Sequence, residues 1–346
     1  MNKSLLIEES KSILDALSKL NEVRDVSRLI LFVVDSTNRV VGSLTDGDIR
    51  RSLVQHKDMN IRLGEVCNRN FVRAIEGVSV DEFEEYRKAD IKILPVLDKD
   101  QRLKKLIDLG VQKSILPLNC VIMAGGRGKR LSPLTDNLPK PMLPLGGKPI
   151  IQHNLERIAS YGVKNVFISV KYLSEKIENY FGNGEALGLN IEYIHEDRPL
   201  GTAGALSRIP KSENDYLMVM NSDLLTDVDL ERMYLKLKNS NADMSIATTD
   251  YQVDIPYAIL DMEGEQVIGF KEKPSYTYYS NAGIYMMKEG LIDMIPKDEF
   301  FDMTDLMDNV MKNGGKIVTS LILGYWLDIG KKEDYEKAKD LVKLIK

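Results

Sequence analysis

The chain has 346 residues, 43% of them hydrophobic and 29% charged, with a formal net charge of −5. That length asks for two domains with ordinary folded cores, and the small negative charge excludes a global field that gathers nucleic acid or anionic membrane. The apolar runs are too short for a bilayer, the first ten residues turn acidic at once instead of forming a signal peptide, and Cys67 and Cys120 make no CxxC and no disulfide framework, so a cytoplasmic protein is expected.

Residues 1–115 read as an internal repeat, with copies over about 1–60 and 61–115. Leu31-Phe-Val-Val-Asp35 aligns with Ile93-Leu-Pro-Val-Leu-Asp98. Each apolar strand ends at an aspartate, a polar turn follows, then Arg39 or Arg102, then a second strand. An amphipathic helix precedes each copy. Ile13, Leu14, Leu17 and Leu20 are expected on one face of the first, and Ser79 with Glu82 is expected to form a capping box on the second. This pattern resembles a pair of CBS modules, through Gly42-Ser-Leu-Thr45-Asp-Gly-Asp48-Ile49. The resemblance implies that the Thr45 hydroxyl and the Asp48 carboxylate hold the phosphate and ribose of an adenine nucleotide. The second copy has Asp108 where Thr45 would stand, so at most one good nucleotide site is expected. The alternative is that the modules only pack together and join two copies of the chain.

A short linker, Ile115 to Asn119, leads into alternating strands and helices over residues 118–346. Val121 to Ala124 reads as a buried strand, and Ile151, Leu155 and Ile158 as a helix. Val166, Ile168 and Val170 alternate as a strand. Tyr216 to Met220 reads as a central strand that delivers Asn221-Ser-Asp223. Met303, Leu306, Met307, Val310 and Met311 fall at helical spacing, and Glu333 to Lys346 forms the last helix. The alternation argues an α/β fold, a mixed and mostly parallel sheet with helices on both faces.

Between the first strand and the first helix lies Met123-Ala-Gly-Gly-Arg-Gly-Lys-Arg-Leu-Ser-Pro-Leu-Thr-Asp-Asn-Leu-Pro-Lys-Pro-Met-Leu-Pro144. Glycines directly after a buried strand let backbone N–H groups approach a phosphate, although Gly-Gly-x-Gly alone also suits an ordinary tight turn. Neither a Walker loop nor a complete GxGxxG is present. Pro133, Pro139, Pro141 and Pro144 stiffen the segment, so Arg130 and Lys140 are held in place before a substrate arrives.

This block resembles the signature GGxGTRLxPLTxxxPKPMLP of the sugar-1-phosphate nucleotidylyltransferases, with Lys129 in place of the usual threonine. The resemblance implies a Rossmann-like, GT-A-like transferase domain. It also implies that Ala124, Gly125, Gly126 and Gly128 cradle the nucleotide and that Arg130 and Lys140 act on its phosphates. Glu196-Asp-Arg-Pro-Leu-Gly201-Thr202 resembles the family's base-binding turn and puts Glu196 at the base-reading position. A carboxylate only accepts hydrogen bonds, which suits the two adjacent donors of guanine better than the single donor of uracil or thymine. GTP is therefore the expected nucleotide, and a plain surface glutamate is the alternative. Asp223 and Asp328 match the family's Mg²⁺ ligands, although either alone also reads as a strand-end cap. Glu272, Lys273, Asn281 and Gly283 match its sugar-phosphate residues, while Pro256-Tyr257-Ala258 departs from the usual Pro-Tyr-Gly near the sugar.

The expected reaction is nucleoside triphosphate plus sugar 1-phosphate to nucleotide sugar plus pyrophosphate. The CBS pair ahead of this domain resembles the glucosamine-1-phosphate guanylyltransferases of legionaminic acid synthesis. Mannose 1-phosphate is the second choice of sugar, and dTTP or UTP the next choice of nucleotide. A non-catalytic scaffold that senses adenine nucleotide stands as the rival class. No nucleic acid or membrane partner is expected, and a homo-oligomer is.

Overall fold

The computed structural model describes residues 5–22, 29–89, 91–212 and 214–345. Two compact units divide the chain at Met1–Ile115 and Leu116–Lys346.

The first unit runs β1 (Leu6–Glu8), α1 (Ile13–Glu22), β2 (Ile30–Val34), β3 (Val40–Thr45), α2 (Asp46–His56), α3 (Leu63–Val66), β4 (Ala74–Ile75), α4 (Val80–Lys88), β5 (Ile93–Leu97) and β6 (Leu103–Asp108). It holds two three-stranded sheets, β1-β2-β3 and β4-β5-β6, each a parallel pair followed by an antiparallel hairpin. The two turns share one device. Asp35 Oδ1 accepts from the amides of Thr37 and Arg39, and Asp98 Oδ1 from those of Asp100 and Arg102. Asn38 and Gln101 then take the left-handed backbone that lets the strand return. An Arg39–Arg102 bridge ties the hairpins together, and Phe32, Val34 and Val40 pack with Phe71, Ile93 and Leu97 between the sheets. Asp108 pairs with Ile93 as Thr45 pairs with Ile30, so the two residues are equivalent in register.

Helix α1 buries Ile13, Ala16 and Leu20 rather than the whole expected face. Leu17 is only partly covered and Leu14 is 51% exposed, because the stripe that meets β2 follows 13, 16 and 20 and leaves position 14 on its flank. Ser79 and Glu82 do form a capping box on α4.

The second unit runs β7 (Leu118–Met123), β8 (Pro144–Leu145), β9 (Lys148–Pro149), α5 (Ile150–Ser160), β10 (Asn165–Val170), α6 (Ser174–Phe181), β11 (Asn190–His195), α7 (Gly201–Gly204), β12 (Tyr216–Asn221) and β13 (Leu224–Thr226). It continues α8 (Leu230–Asn239), β14 (Met244–Asp254), β15 (Ile259–Glu263), β16 (Gln266–Lys271), β17 (Ser275–Lys288), α9 (Met303–Lys312), β18 (Ile317–Leu321), β19 (Trp326–Asp328) and α10 (Lys332–Ile345). The main sheet has the order β11-β10-β7-β12-β17-β14-β18, and β17 alone runs against the others. Residues on one face of it, Val121, Phe167, Leu217 and Val219, pack with Met303, Leu306 and Val310 of α9. Cys120, Ile122, Ile168 and Met218 on the other face are also buried, so both faces are covered.

That cover explains the departures from the sequence reading. Strand β10 does not alternate, since Phe167 and Ser169 are buried beside Val166, Ile168 and Val170. Strand β7 starts at Leu118 and ends before Ala124. Asn119 fits inside it because its side-chain oxygen accepts from Asn165 and Asn214. Met307 packs beside the core and Met311 is exposed, so only Met303, Leu306 and Val310 of the methionine-rich helix are core. Lys346, expected to end α10, lies outside the described residues.

Candidate active site

Parallel strands β10, β7 and β12, with β11 at the edge, end side by side, and their following loops enclose a cleft of about 770 Å³. Carboxyl ends of parallel strands leave unpaired backbone groups beside a topological break, where open α/β sheets bind ligands. The loop after β7 supplies Gly125, Gly126 and Arg127, that after β10 Lys171 and Tyr172, that after β11 Glu196, and the end of β12 with its following loop Asn221, Ser222 and Asp223.

The glycine loop is anchored at both ends. The Ala124 N–H donates to Ser169 O at 2.8 Å, and Gly128 O accepts from the Thr135 hydroxyl at 2.9 Å. At Gly128 φ is +67°, and a Cβ there would stand 2.8 Å from the Cβ of Lys140. Glycine at 128 thus lets the lysine stem pass under the loop, and Lys140 is only 8% exposed. Nothing lies within 4 Å of the Cβ position of Gly126, which leaves its backbone open to the cleft.

The Lys140 ammonium is hydrogen-bonded to Asp223 and stands 3.9 Å from Asp328. The antiparallel pairing of β13 with β19, which sets Leu224 opposite Asp328, brings these aspartates together across a hundred residues of chain. Partial burial, with the Asp223 charge, pushes the Asp328 carboxyl up, while Lys140 and Arg130 pull it down. Arg130 does not line the cleft; its guanidinium lies beside Gly330, on the Asp328 side. Lys129 is exposed. Two carboxylates that face one another from partly open positions suit a hard cation that takes its other oxygens from substrate phosphates and water. Among the described residues no cluster of three or more His, Cys, Asp or Glu is placed to hold a metal by protein groups alone.

Glu196 also lines the cleft. Its backbone N–H donates to Val170 O, and its carboxylate accepts from the Ser169 hydroxyl and from the Leu200 N–H at 3.0 Å. Gly201 and Thr202 line the cleft, yet the polar groups of Thr202 are engaged elsewhere. The Thr202 amide and hydroxyl both donate to Asp302, and a Cβ on Gly201 would meet Phe301 O at 2.6 Å. This turn packs α7 onto the segment before α9.

The expected sugar residues divide into two groups. Gly283, with φ +72°, abuts Asn221, whose amide nitrogen would lie 2.6 Å from a Cβ at 283. The Asn281 side chain accepts from the Gly283 N–H and donates to the Tyr285 hydroxyl. Glu272 and Lys273 are exposed past the end of β16, and none of the four expected sugar residues is among those that line the cleft; Asn281 and Gly283 stand behind Asn221, which does. Tyr257 is exposed as well.

In the first unit Thr45 and Asp48 cap α2 reciprocally: the Thr45 hydroxyl and amide both donate to Asp48, which also takes Arg51 at 2.7 Å. Thr45 lines a separate cavity of about 480 Å³ with Phe32, Ser43, Asn68 and Phe71, whereas Asp48 does not.

The sequence reading passed over Ser169, Arg127, Lys171 and Tyr172. Position was the available signal for Lys171 and Tyr172, which directly follow a parallel strand, and Arg127 stacks over the Tyr172 ring at 5.2 Å. For Ser169 it was a lone polar residue inside an apolar strand.

Strand order, glycine loop and cleft define an α/β protein of the nucleotide-binding class. The chain belongs to the nucleotidyl transferase family, whose model matches residues 119–343, and a CBS-domain model matches residues 1–55. It is 35% identical to the mannose-1-phosphate guanylyltransferase of Mycobacterium tuberculosis, over 65% of this chain and 65% of that protein. It is 29% identical to the UTP–glucose-1-phosphate uridylyltransferase of Synechocystis, over 64% of this chain and 62% of that protein. The crystal structure of HddC from Yersinia pseudotuberculosis complexed with GMP-PN is similar with a TM-score of 0.52 and 27% identity, over 65% of this chain and 99% of that one.

Proposed function

We propose that this protein transfers the nucleotidyl group of GTP to a sugar 1-phosphate, glucosamine 1-phosphate first and mannose 1-phosphate second, and releases pyrophosphate. The observation that carries this reading is the polarity of the cleft, which is lined both by an acceptor-only carboxylate, Glu196, and by Lys140 paired with Asp223, with Asp328 3.9 Å from the same ammonium. A guanine N1–H and 2-amino group lie side by side and meet the two oxygens of Glu196. The triphosphate then runs along the glycine loop toward Lys140.

In the reaction an oxygen of the sugar phosphate attacks the α-phosphorus. The new P–O bond forms as the bond to the bridging oxygen breaks, and pyrophosphate leaves with that electron pair. A phosphate monoester with a second pKa near 6 is mostly dianionic at neutral pH, so no side chain need remove a proton. Lys140 offsets the charge that gathers on the phosphoryl oxygens, the Pro-rich segment holds it there beforehand, and Arg130, outside the cleft lining, acts through Asp328, whose carboxyl it pulls down. Asp223 and Asp328 would hold Mg²⁺, which supplies Lewis-acid stabilisation of the phosphoryl oxygens when bound. Asn221, which lines the cleft, offers its polar groups to the sugar, Asn281 and Gly283 set its place from behind, and Glu272 with Lys273 would join from the exposed arm.

The test is pyrophosphate release by the full chain with GTP, UTP, dTTP and ATP against a panel of sugar 1-phosphates. GTP gives the highest kcat/KM, and Glu196→Gln lowers the GTP-to-UTP preference by about tenfold or more. An unchanged preference removes the guanine reading. No turnover with any pair favours the scaffold reading, in which the cavity beside Thr45 senses an adenine nucleotide. As an enzyme the chain is proposed to keep that cavity as a regulatory adenine-nucleotide site and to act as a homo-oligomer.

A further inference from the structure

Ser169 is wholly buried near the carboxyl end of β10, where a hydroxyl without a partner is costly. It touches both halves of the cleft. Its carbonyl oxygen accepts the Ala124 N–H at 2.8 Å and so pins the start of the glycine loop. Its hydroxyl donates to Glu196 Oε1, while Oε2 accepts from the Leu200 N–H at 3.0 Å. A Cβ on Gly125 would stand 2.8 Å from Oε1, so the loop closes a third side of the carboxylate.

We propose that Ser169 is the positioning residue that sets the nucleobase preference, by locking the Glu196 carboxylate with both oxygens presented to the base. This rests on the guanine reading of Glu196 given above. The argument is one of hydrogen-bond capacity. Each carboxylate oxygen accepts two hydrogen bonds, and the protein supplies one to each. One acceptor site per oxygen remains, and the two remaining sites match the two adjacent donors of guanine. Uracil offers one donor flanked by two carbonyl oxygens, which sets an acceptor against the carboxylate. Without the serine hydroxyl only the Leu200 N–H still holds the Glu196 carboxylate by a hydrogen bond, Oε1 loses its anchor, and ordering that oxygen on binding weakens a base that needs both oxygens by about threefold to tenfold. A base that does not need both oxygens loses little.

Steady-state kinetics of the full chain with GTP and UTP test this, on the wild type, Ser169→Ala and Ser169→Thr. Ser169→Ala raises KM for GTP by about threefold to tenfold with kcat little changed, leaves KM for UTP within twofold, and Ser169→Thr restores the GTP value. Equal losses with both nucleotides, or no loss with GTP, overturn the proposal and leave Ser169 as a residue of the sheet alone. Where Ser169→Ala does not fold, Ser169→Cys keeps a side chain of the same shape with a slightly larger terminal atom, weakens the donor and carries the same expectation. Failure of the parent reading is separate: it shows in the wild type as no preference for GTP over UTP, and it overturns this proposal as well.

Discussion

At Lys140 a nearly buried ammonium faces two carboxylates at once, Asp223 in contact and Asp328 at 3.9 Å. The arrangement does two things. It keeps the aspartates close in spite of their repulsion, and it leaves a cation where a triphosphate would lie. Lys140→Met is expected to lower kcat for pyrophosphate release by about a hundredfold or more, since one preorganised charge is lost from the transition state. The same variant loses about 1 kcal/mol of stability in a urea melt, because the pair is partly solvated. A kcat within tenfold of the wild type would take Lys140 out of the chemistry. The glycine at 128 belongs to the same feature, since only a residue without a side chain lets the lysine stem pass there. That requirement cannot be read from Gly-Gly-x-Gly alone, because it arises from a contact twelve residues further along the chain.

At the scale of elements, reciprocal caps are the devices this chain repeats, at Thr45 with Asp48, Ser79 with Glu82, and Asp302 with Asp305. These were open to sequence reading in so far as a cap needs only residues three apart. The resemblance makes Thr45 and Asp48 a ligand pair, yet each first serves the N-terminus of α2. Burial pushes the Asp48 carboxyl up, but the hydrogen bonds from Thr45 and the Arg51 guanidinium outweigh it and hold it below the usual carboxylate range. A carboxyl depressed in this way stabilises the fold above the pKa of the unfolded chain, about 4, and the benefit is lost as pH falls through the lower folded value. Asp48→Ala is expected to cost about 1 kcal/mol at pH 7 by urea denaturation, and the gap to wild type narrows below about pH 4. A gap constant with pH would mean that the charge contributes nothing to the cap. The strand pairing β13–β19 is the opposite case. Nothing in the spacing of Asp223 and Asp328 shows that they meet, and only resemblance to a known family paired them.

Over the whole molecule, two units carry two candidate nucleotide sites, the cleft of the second unit and the cavity beside Thr45 in the first. Ligand that binds only the folded state raises the melting temperature. AMP is expected to raise it equally in the wild type and in Lys140→Met, whereas GTP with Mg²⁺ raises it more in the wild type. No response to AMP would leave the first unit without an adenine nucleotide site. The same unit exposes Leu14 on α1 and Val54, 78% exposed, on α2, and these are the positions at which the proposed homo-oligomer is tested. Sedimentation of the full chain is expected to give a dimer or larger, and Leu14→Glu with Val54→Glu is expected to give monomers. A wild-type monomer would end that reading.

The sequence alone determined what depends on near neighbours: the hairpin turns at Asp35 and Asp98, the capping box at Ser79 and Glu82, the buried strands of a mostly parallel sheet, and a glycine loop set between a strand and a helix. Such features need only a few residues in register, so composition and spacing express them directly. The tertiary structure decided what depends on which strands lie side by side. It set Asp328 opposite Leu224, drew Ser169 under Glu196, placed Lys171 and Tyr172 on the cleft, and put Arg130 beside Asp328 rather than in the cleft lining. The physical reason is that these contacts follow from sheet order and from close packing of side chains far apart in the chain, and no local pattern of residues encodes either.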